Sequence, residues 1–453
     1  MSASPEAGPL KHSRAVNADD RGGLRLREFG DSGGAISTTS TTAPDPEPQL
    51  ARSRTSVLRH RDFALLFAGQ AVSVLGDRVV LIAMPFAVLS LPGAGLSDVG
   101  LVLGASALSL ALFVLVGGVL ADRIPRQLTM LGSDVVRALT QGASAALLLS
   151  GNATVGRLVV LQAVYGAAEA FFRPAVLGLV PQVVAPGEQQ PANALLALTS
   201  NVTMVVGPAL AGILVATLGP GGALAVDAGS FVVSAVTLLM LRPRPVPPAA
   251  QAAFRAQLVE GWREVRSRSW VWSTLLGFSA YHALMLPALF VLGPKVAQDI
   301  RGGPASWGYI CAGFGVGAVT GSVIALRWRP RRPGLVIAST LVLACMQAAI
   351  CASALPTWTV AALEALTGVC VALCLTIWET ALQERIPAHA QSRVSSFDYL
   401  ASLTLMPAGY VLVGPVAESL GTRITAVGAS VVAGVICLGV AASKALRTLP
   451  GSA

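Results

Sequence analysis

Acidic and imidazole side chains lie inside long apolar stretches of this 453-residue sequence. They are Asp77, Glu169, His282, Glu364 and Glu379. An ionisable side chain in an apolar segment costs several kcal/mol unless it faces protein or water, and such residues usually mark an ion or substrate route. A carboxylate in a low-dielectric cavity can take up a proton on one side and release it on the other. These five residues are therefore the candidates for a proton or substrate site.

Two charged pairs at helical spacing have a structural alternative. Glu169 and Arg173 are four residues apart, so the two side chains can neutralise each other on one helix face. Asp134 and Arg137 are three residues apart, and we interpret that pair as structural. Arg173, like Glu169, is a candidate residue of the proton or substrate cavity.

The remaining candidates also differ in strength. Glu379 lies near the end of a predicted span, where water can solvate it, and a lone His282 can be a hydrogen-bonded core residue. Asp77 and Glu169 lie deeper inside their predicted spans. We therefore rank Asp77 and Glu169 first as proton carriers, ahead of Glu364 and His282.

The apolar stretches that hold these residues are long enough to cross a membrane. A spanning helix needs about 20 mostly apolar residues, and only 12% of this chain is charged, against roughly 25% in soluble proteins. The sequence therefore predicts an all-α polytopic membrane protein. Its twelve predicted spans are 63–91, 96–120, 127–150, 157–180, 191–217, 222–241, 270–293, 304–326, 334–355, 358–381, 395–417 and 422–443.

Charge in the connections predicts the orientation and the domains. With the N-terminus inside, and counting from Arg52 onward, 21 Arg and Lys residues lie on the cytoplasmic side and 4 on the other. Because Lys and Arg concentrate in cytoplasmic loops, both termini are predicted to be cytoplasmic in the cell membrane. The predicted parts are a disordered tail (1–56), a six-helix bundle (57–241), a cytoplasmic linker (242–269), a second six-helix bundle (270–444) and a short tail (445–453).

Several function classes lack the residues that they need. None of the three lysines follows a glycine, so the chain has no phosphate-binding loop of the Gly-Lys-Ser/Thr type. The basic residues are scattered over loops, which does not favour nucleic-acid binding. With four histidines and no His-Glu-x-x-His pattern, a membrane enzyme is the less favoured class, and no catalytic residue, metal site or cofactor is predicted. A secondary transporter is the simpler interpretation.

The loop between spans two and three carries a motif. Residues 118–127 read GVLADRIPRQ, which resembles the signature of the major facilitator superfamily. Gly118, Asp122, Arg123 and Arg126 match the pattern, whereas Pro125 replaces its second glycine. The resemblance implies a conformational latch for the outward-open state. The alternative is an ordinary cytoplasmic basic loop, which accounts for the arginines but not for the glycine or the aspartate.

A second motif lies in the fifth span. Gly207, Pro208 and Gly212 are similar to the antiporter signature of drug-exporting members, in which a kink allows close packing. An ordinary small-residue helix interface is the alternative. Together with the stretch from Phe172 to Pro174, this motif resembles the branch of macrolide-efflux proteins and siderophore exporters. One departure is Gln162, because many proton-coupled exporters have an arginine there.

The resemblance implies two pseudo-symmetric bundles and a cavity lined by spans one, four, seven and ten. The function that it implies is export of hydrophobic drugs, macrolide-like natural products or siderophores by proton antiport and alternating access. A solute importer of the same fold is the alternative. The expected partners are a small-molecule substrate, a proton or another coupling ion and the lipid bilayer, and the protein is expected to be a monomer.

Overall fold

The computed structural model describes residues 56–121, 124–185, 187–244 and 254–447. Helices make up most of these ranges, and no strand occurs within them. The predicted tail at 1–56 lies outside the described residues except for Ser56. Most of the C-terminal tail also lies outside, because the description ends at Arg447.

The first half of the described chain consists of five long helices joined by short turns. They are α1 (Arg61–Leu89), α2 (Leu96–Ala121), α3 (Arg126–Leu149), α4 (Val155–Val183) and α5 (Gln189–Leu239). α5 bends at Gly219, where φ is 72° and ψ is 170°. A side chain would strain that backbone conformation. The two limbs of α5 on either side of Gly219 are the predicted fifth and sixth spans.

The second half contains more helices because several of its spans are interrupted. They are α6 (Phe254–Ser267), α7 (Ser269–Ala280), a π-helical turn (Tyr281–Met285), α8 (Leu286–Ile300), α9 (Pro304–Arg327), α10 (Pro333–Ala344), α11 (Gln347–Cys351), α12 (Thr357–Arg385), α13 (Ala388–Thr404), α14 (Met406–Leu420), α15 (Thr422–Ala442) and α16 (Lys444–Arg447). The π-helical turn joins α7 to α8 in the predicted seventh span and contains His282. Such turns are rare and are frequent at functional sites.

The helices account for all twelve predicted spans. Ten stretches within the described ranges are long and apolar enough to cross a membrane, and one of these is the two-limbed α5. The remaining span is α3, which has a lower hydropathy because it carries polar residues that include Asp134 and Arg137. The prediction of an all-α polytopic membrane protein is therefore confirmed.

Packing divides the spans into two bundles. In the first bundle α1 packs against α5, α2 against α4, and α3 against both α4 and α5. In the second, α9 and α10 pack against α12, and α10 also contacts α15. The bundles meet chiefly where α5 contacts α9 and α2 contacts α14. α6 lies in the predicted linker and packs on α13, with the ring centroids of Trp262 and Phe397 5.8 Å apart.

Candidate functional site

The Asp77 carboxylate on α1 interacts with side chains from two other helices of the first bundle. The Arg137 guanidinium on α3 approaches Asp77 Oδ1 at 3.4 Å, and the Tyr165 hydroxyl on α4 donates a hydrogen bond to the same oxygen at 3.1 Å. The Asp77 side chain is still 34% exposed. Asp77 is thus a carboxylate that is held by donors and only partly buried.

Arg137 holds a second carboxylate that is fully buried. It pairs with Asp134, and the exposed fractions of the two side chains are 1% and 0%. The guanidinium also lies over the rings of Phe172 and Phe231, at 4.0 and 4.3 Å from their centroids, in a cation–π arrangement. Because removing one partner of a buried ion pair costs about 3–5 kcal/mol, Arg137 is fixed whatever happens at Asp77.

Close packing of α1 against the second limb of α5 supports this cluster. Gly76 lies directly against Ser230 and Asp227, so that a Cβ on Gly76 would contact the side chains of both residues. Asp227 is fully buried, and the Ser230 hydroxyl donates to its backbone oxygen at 2.7 Å. Sequence reasoning did not single out Asp227, although an acidic residue inside a predicted span was a usable signal.

Glu169 and Arg173 pair with each other on α4. The shortest distance between their charged groups is 3.2 Å, and the exposed fractions are 19% for Glu169 and 64% for Arg173. The mutual neutralisation considered from their spacing is therefore present. Arg173 also lies within electrostatic range of Tyr399 on α13, which belongs to the second bundle. Arg173 is consequently near the second bundle.

Glu364 on α12 lies inside the second bundle, away from the Asp77 cluster. It is 2% exposed and accepts hydrogen bonds from the Gln347 amide at 3.1 Å and the Thr367 hydroxyl at 2.8 Å. The Cys351 thiol approaches its other oxygen at 3.4 Å. The Tyr281 hydroxyl donates to Gln347. Glu364 is therefore the acceptor at the centre of a buried polar network.

The structure does not bring His282 or Glu379 into either cluster. His282 Nδ1 lies 2.8 Å from the backbone oxygen of Phe278 on the preceding helical turn. Glu379 is exposed and has Asp398 as its electrostatic neighbour, and Asp398 in turn accepts a hydrogen bond from Trp378 Nε1 at 3.0 Å. Both positions agree with the structural alternatives, a hydrogen-bonded histidine and a solvated glutamate.

The predicted kink motif of α5 lies at the contact between the bundles. A Cβ on Gly308 of α9 would lie 2.5 Å from the Pro208 backbone oxygen and 3.0 Å from Gly212 Cα. A Cβ on Gly212 would meet the backbone of Pro304 and Gly308. α5 and α9 can approach this closely only because both positions are glycine. We call this contact of Pro208 and Gly212 with Pro304 and Gly308 the α5–α9 seam.

A second contact between the bundles joins α2 to α14. Backbones approach closely here too, since a Cβ on Gly414 would lie 2.5 Å from Leu96 O and Ser97 Cα. At the end of this contact Glu418 accepts hydrogen bonds from the backbone N–H of Ser97 at 2.9 Å and from its hydroxyl at 2.5 Å. A carboxylate at the first turn of α2 is also favoured by the helix dipole. Glu418 therefore ties one bundle to the N-terminus of a helix in the other.

The two contacts lie at the same end of the molecule. Gly308 is close to the start of α9, Ser97 is close to the start of α2, and Glu418 is close to the end of α14. Asp77 is partly exposed and Arg173 is exposed, and Arg173 lies within electrostatic range of Tyr399 in the second bundle. The two contacts therefore hold the bundles together at this end.

Comparison with known proteins identifies the fold that this geometry belongs to. The sequence model of the Major Facilitator Superfamily matches residues 66–408. The chain belongs to the Major Facilitator Superfamily. It is a multi-pass membrane transporter, and the predicted membership of this superfamily is confirmed.

Relatives within the superfamily include named exporters. The multidrug efflux pump Tap of Mycolicibacterium fortuitum is 27% identical over 376 residues, which cover 80% of this chain and 90% of that protein. The enterobactin exporter EntS of Salmonella choleraesuis (strain SC-B67) is 25% identical over 393 residues, which cover 83% and 89%.

Solved structures share the fold at low sequence identity. A bacterial homologue of the iron transporter ferroportin in an inward-facing state aligns with a TM-score of 0.65 and 18% identity, over 84% of this chain and 99% of that one. A point mutant of the nucleoside transporter NupG aligns with a TM-score of 0.68 and 10% identity, over 84% and 99%. These likenesses show the major facilitator fold.

The position where many proton-coupled members carry an arginine holds Gln162 on α4. Its amide donates to the Gln141 side chain on α3 at 3.2 Å, and both residues are buried. The cation that faces Asp77 comes instead from Arg137 on α3. Arg137 is therefore the residue that sequence reasoning undervalued, because it was interpreted only as the local partner of Asp134.

The loop between α2 and α3 is described only at its borders. Asp122 and Arg123 lie outside the described residues, and Gly118 belongs to the last turns of α2. Arg126 is described, and its guanidinium donates a hydrogen bond to the Gly178 backbone oxygen on α4 at 2.5 Å. The latch assignment of Gly118, Asp122, Arg123 and Arg126 stays a prediction.

Proposed function

We propose that this transporter exports amphipathic small molecules, such as drugs or siderophores, in exchange for protons that enter through Asp77. The observation that carries the proposal is Asp77 itself, a partly exposed carboxylate within a membrane span that is held by Arg137 and Tyr165. The multidrug and siderophore exporters among the relatives support the substrate class.

Proton exchange at Asp77 gives the cavity two electrostatic states. With Asp77 ionised, its carboxylate faces the Arg137 guanidinium across α1 and α3. A proton on the Asp77 oxygen removes that ion pair, while Arg137 keeps Asp134 as its buried partner. Protonation therefore changes the contact between α1 and α3. If proton binding and substrate binding favour different arrangements of the two bundles, each shifts the equilibrium between them.

The structure supports alternating access around this site. The α5–α9 seam and the Ser97–Glu418 contact close one end, and a full cycle requires both to separate when the cavity opens there. In the proposed orientation the closed end faces outward, so this conformation takes up substrate from the cytoplasm. The Gly118–Arg126 loop is the proposed latch of the opposite state.

Export is tested by measuring drug accumulation in an exporter-deficient bacterium that expresses the chain. Cells with the protein are expected to accumulate less of its substrates than cells with the empty vector. Because protons drive the cycle, a protonophore should remove the difference. Greater accumulation in the expressing cells would indicate the importer instead. Lower accumulation that persists with the protonophore would contradict proton antiport.

The orientation rests on the charge asymmetry of the loops, with both termini in the cytoplasm and the proposed domain borders at 57–241 and 270–444. Ser267→Cys at the end of α6 is expected to react with a membrane-impermeant maleimide only after permeabilisation. Asn152→Cys, in the turn between α3 and α4, should react in intact cells. The unsubstituted protein gives the background from its own cysteines. The reverse labelling pattern would overturn the orientation.

A further inference from the structure

Arg78 on α1 takes no part in the proposed transport cycle. Arg78 follows Asp77 and lies 17 residues after the start of α1 at Arg61, which is about 26 Å along the helix. This places it near the middle of a 29-residue span. A cation at that depth costs several kcal/mol unless it faces protein, water or a ligand.

Within the described part of the chain, Arg78 makes no hydrogen bond or ion pair. Its Nε is buried without an acceptor. Asp77 is already held by Arg137 and Tyr165. Arg78 is therefore a cation without a direct partner among the described residues.

The other nearby carboxylate is also taken. Glu169 pairs with Arg173 on its own helix, and both lie within electrostatic range of Arg78. The Arg78 guanidinium is thus near the part of α4 that carries Glu169 and Arg173. Asp77 and Glu169 are its electrostatic neighbours of opposite charge, but among the described residues neither forms an ion pair with Arg78.

The kink motif of α5 makes room for this side chain. A Cβ on Gly207 would lie 2.6 Å from both Cβ and Cγ of Arg78, so the stem of Arg78 rests on the glycine backbone. The methylene stem of an arginine packs well against such an apolar surface while its charged end reaches a polar space. Gly207 therefore positions Arg78.

We propose that Arg78 binds an anionic oxygen group of the transported molecule. A guanidinium presents five N–H donors in a planar fork that matches a carboxylate, sulfonate or phenolate. Such charge-assisted hydrogen bonds are about twice as strong as neutral ones. The substrate class is then amphipathic molecules that carry an acidic group, rather than lipophilic cations. This inference rests on the proposed export function.

Two xanthene dyes of opposite charge test the inference: fluorescein, an anion, and rhodamine 6G, a cation. Uptake of each dye is measured in energised everted membrane vesicles that contain the full-length protein. Arg78→Gln is expected to lower fluorescein transport about tenfold or more, the loss expected for one hydrogen bond to a charged group. Rhodamine 6G transport should be unchanged or higher. Arg78→Lys keeps the charge without the fork and should lie between Arg78→Gln and the wild type.

Arg157→Gln is the matched control, because Arg157 is an exposed arginine at the start of α4, and it should leave both dyes unaffected. Equal fluorescein rates in the wild type and Arg78→Gln would overturn the proposal, as would a parallel fall for both dyes, which indicates a structural role. If the wild type transports rhodamine 6G but not fluorescein, the inference is wrong and export stands. If it transports neither these dyes nor the drug panel, export itself fails.

Discussion

Asp77→Asn is expected to abolish uphill export while downhill exchange of substrate continues. An amide has nearly the same shape as a carboxylate but cannot take up a proton, so the electrostatic switch between Asp77 and Arg137 is lost. The two donors that hold Asp77 are unchanged, and the buried Arg137–Asp134 pair remains. In proteoliposomes, substrate accumulation driven by a pH gradient should fall to the passive level. Exchange of labelled for unlabelled substrate should stay close to the wild-type rate.

Asp299→Asn serves as the matched control for this substitution. Asp299 is an exposed carboxylate paired with Lys295 at 2.7 Å, and a surface pair of this kind contributes about 0–1 kcal/mol. The Asp299→Asn variant should therefore retain uphill export. If uphill export survives even in the double variant Asp77→Asn, Glu169→Gln, neither residue is the proton carrier. Attention would then move to Glu364 and His282, or to another coupling ion.

The spans were predictable from sequence because membrane helices are recognised by local composition. Even α3 was predicted, although Asp134 and Arg137 lower its hydropathy, because its flanks are apolar. The break at Gly219 was also placed correctly between two spans, since Gly and Pro punctuate such segments. Length and composition are properties of a contiguous window, and no tertiary contact is needed to read them.

The site was less predictable because its contacts are distant in sequence. Arg137 reaches Asp77 over 60 positions, whereas the spacing rule for helices detects only partners three or four residues apart. That rule correctly paired Glu169 with Arg173, and for the same reason it assigned Arg137 to Asp134 alone. Asp227 and Tyr165 are drawn to the cluster only by the packing of α1, α4 and α5.

The kink motif illustrates the same limit. Its glycines could be recognised as small residues for close packing, but Gly308 and Pro304 on the other side lie about 100 positions away. Of the two interpretations of the motif, close small-residue packing corresponds to contacts of α5, and a kink at these residues stays a prediction. Pro208 and Gly212 pack on the second bundle, whereas Gly207 accommodates Arg78 on α1.

Gly308→Leu is expected to abolish most export without preventing membrane insertion. A side chain at Gly308 meets the Pro208 backbone oxygen and Gly212, and backbone atoms cannot rotate away as a flexible side chain can. Overpacking of this kind costs about 1–3 kcal/mol or more, which shifts a two-state equilibrium about 5- to 150-fold. The conformation in which the α5–α9 seam is closed therefore becomes less populated.

Closure of this end can be measured apart from transport. Cysteines at Ser97 and Glu418 should form an oxidative cross-link readily, because the two side chains are hydrogen bonded across the bundles. Adding Gly308→Leu should reduce both the cross-link yield and export. Gly439→Leu on α15 is the matched control, since a Cβ there meets no atom within 4 Å. One added side chain at Gly308 is enough to force the backbones of α5 and α9 apart. Wild-type levels of export and cross-linking in Gly308→Leu would therefore show that the α5–α9 seam does not control closure.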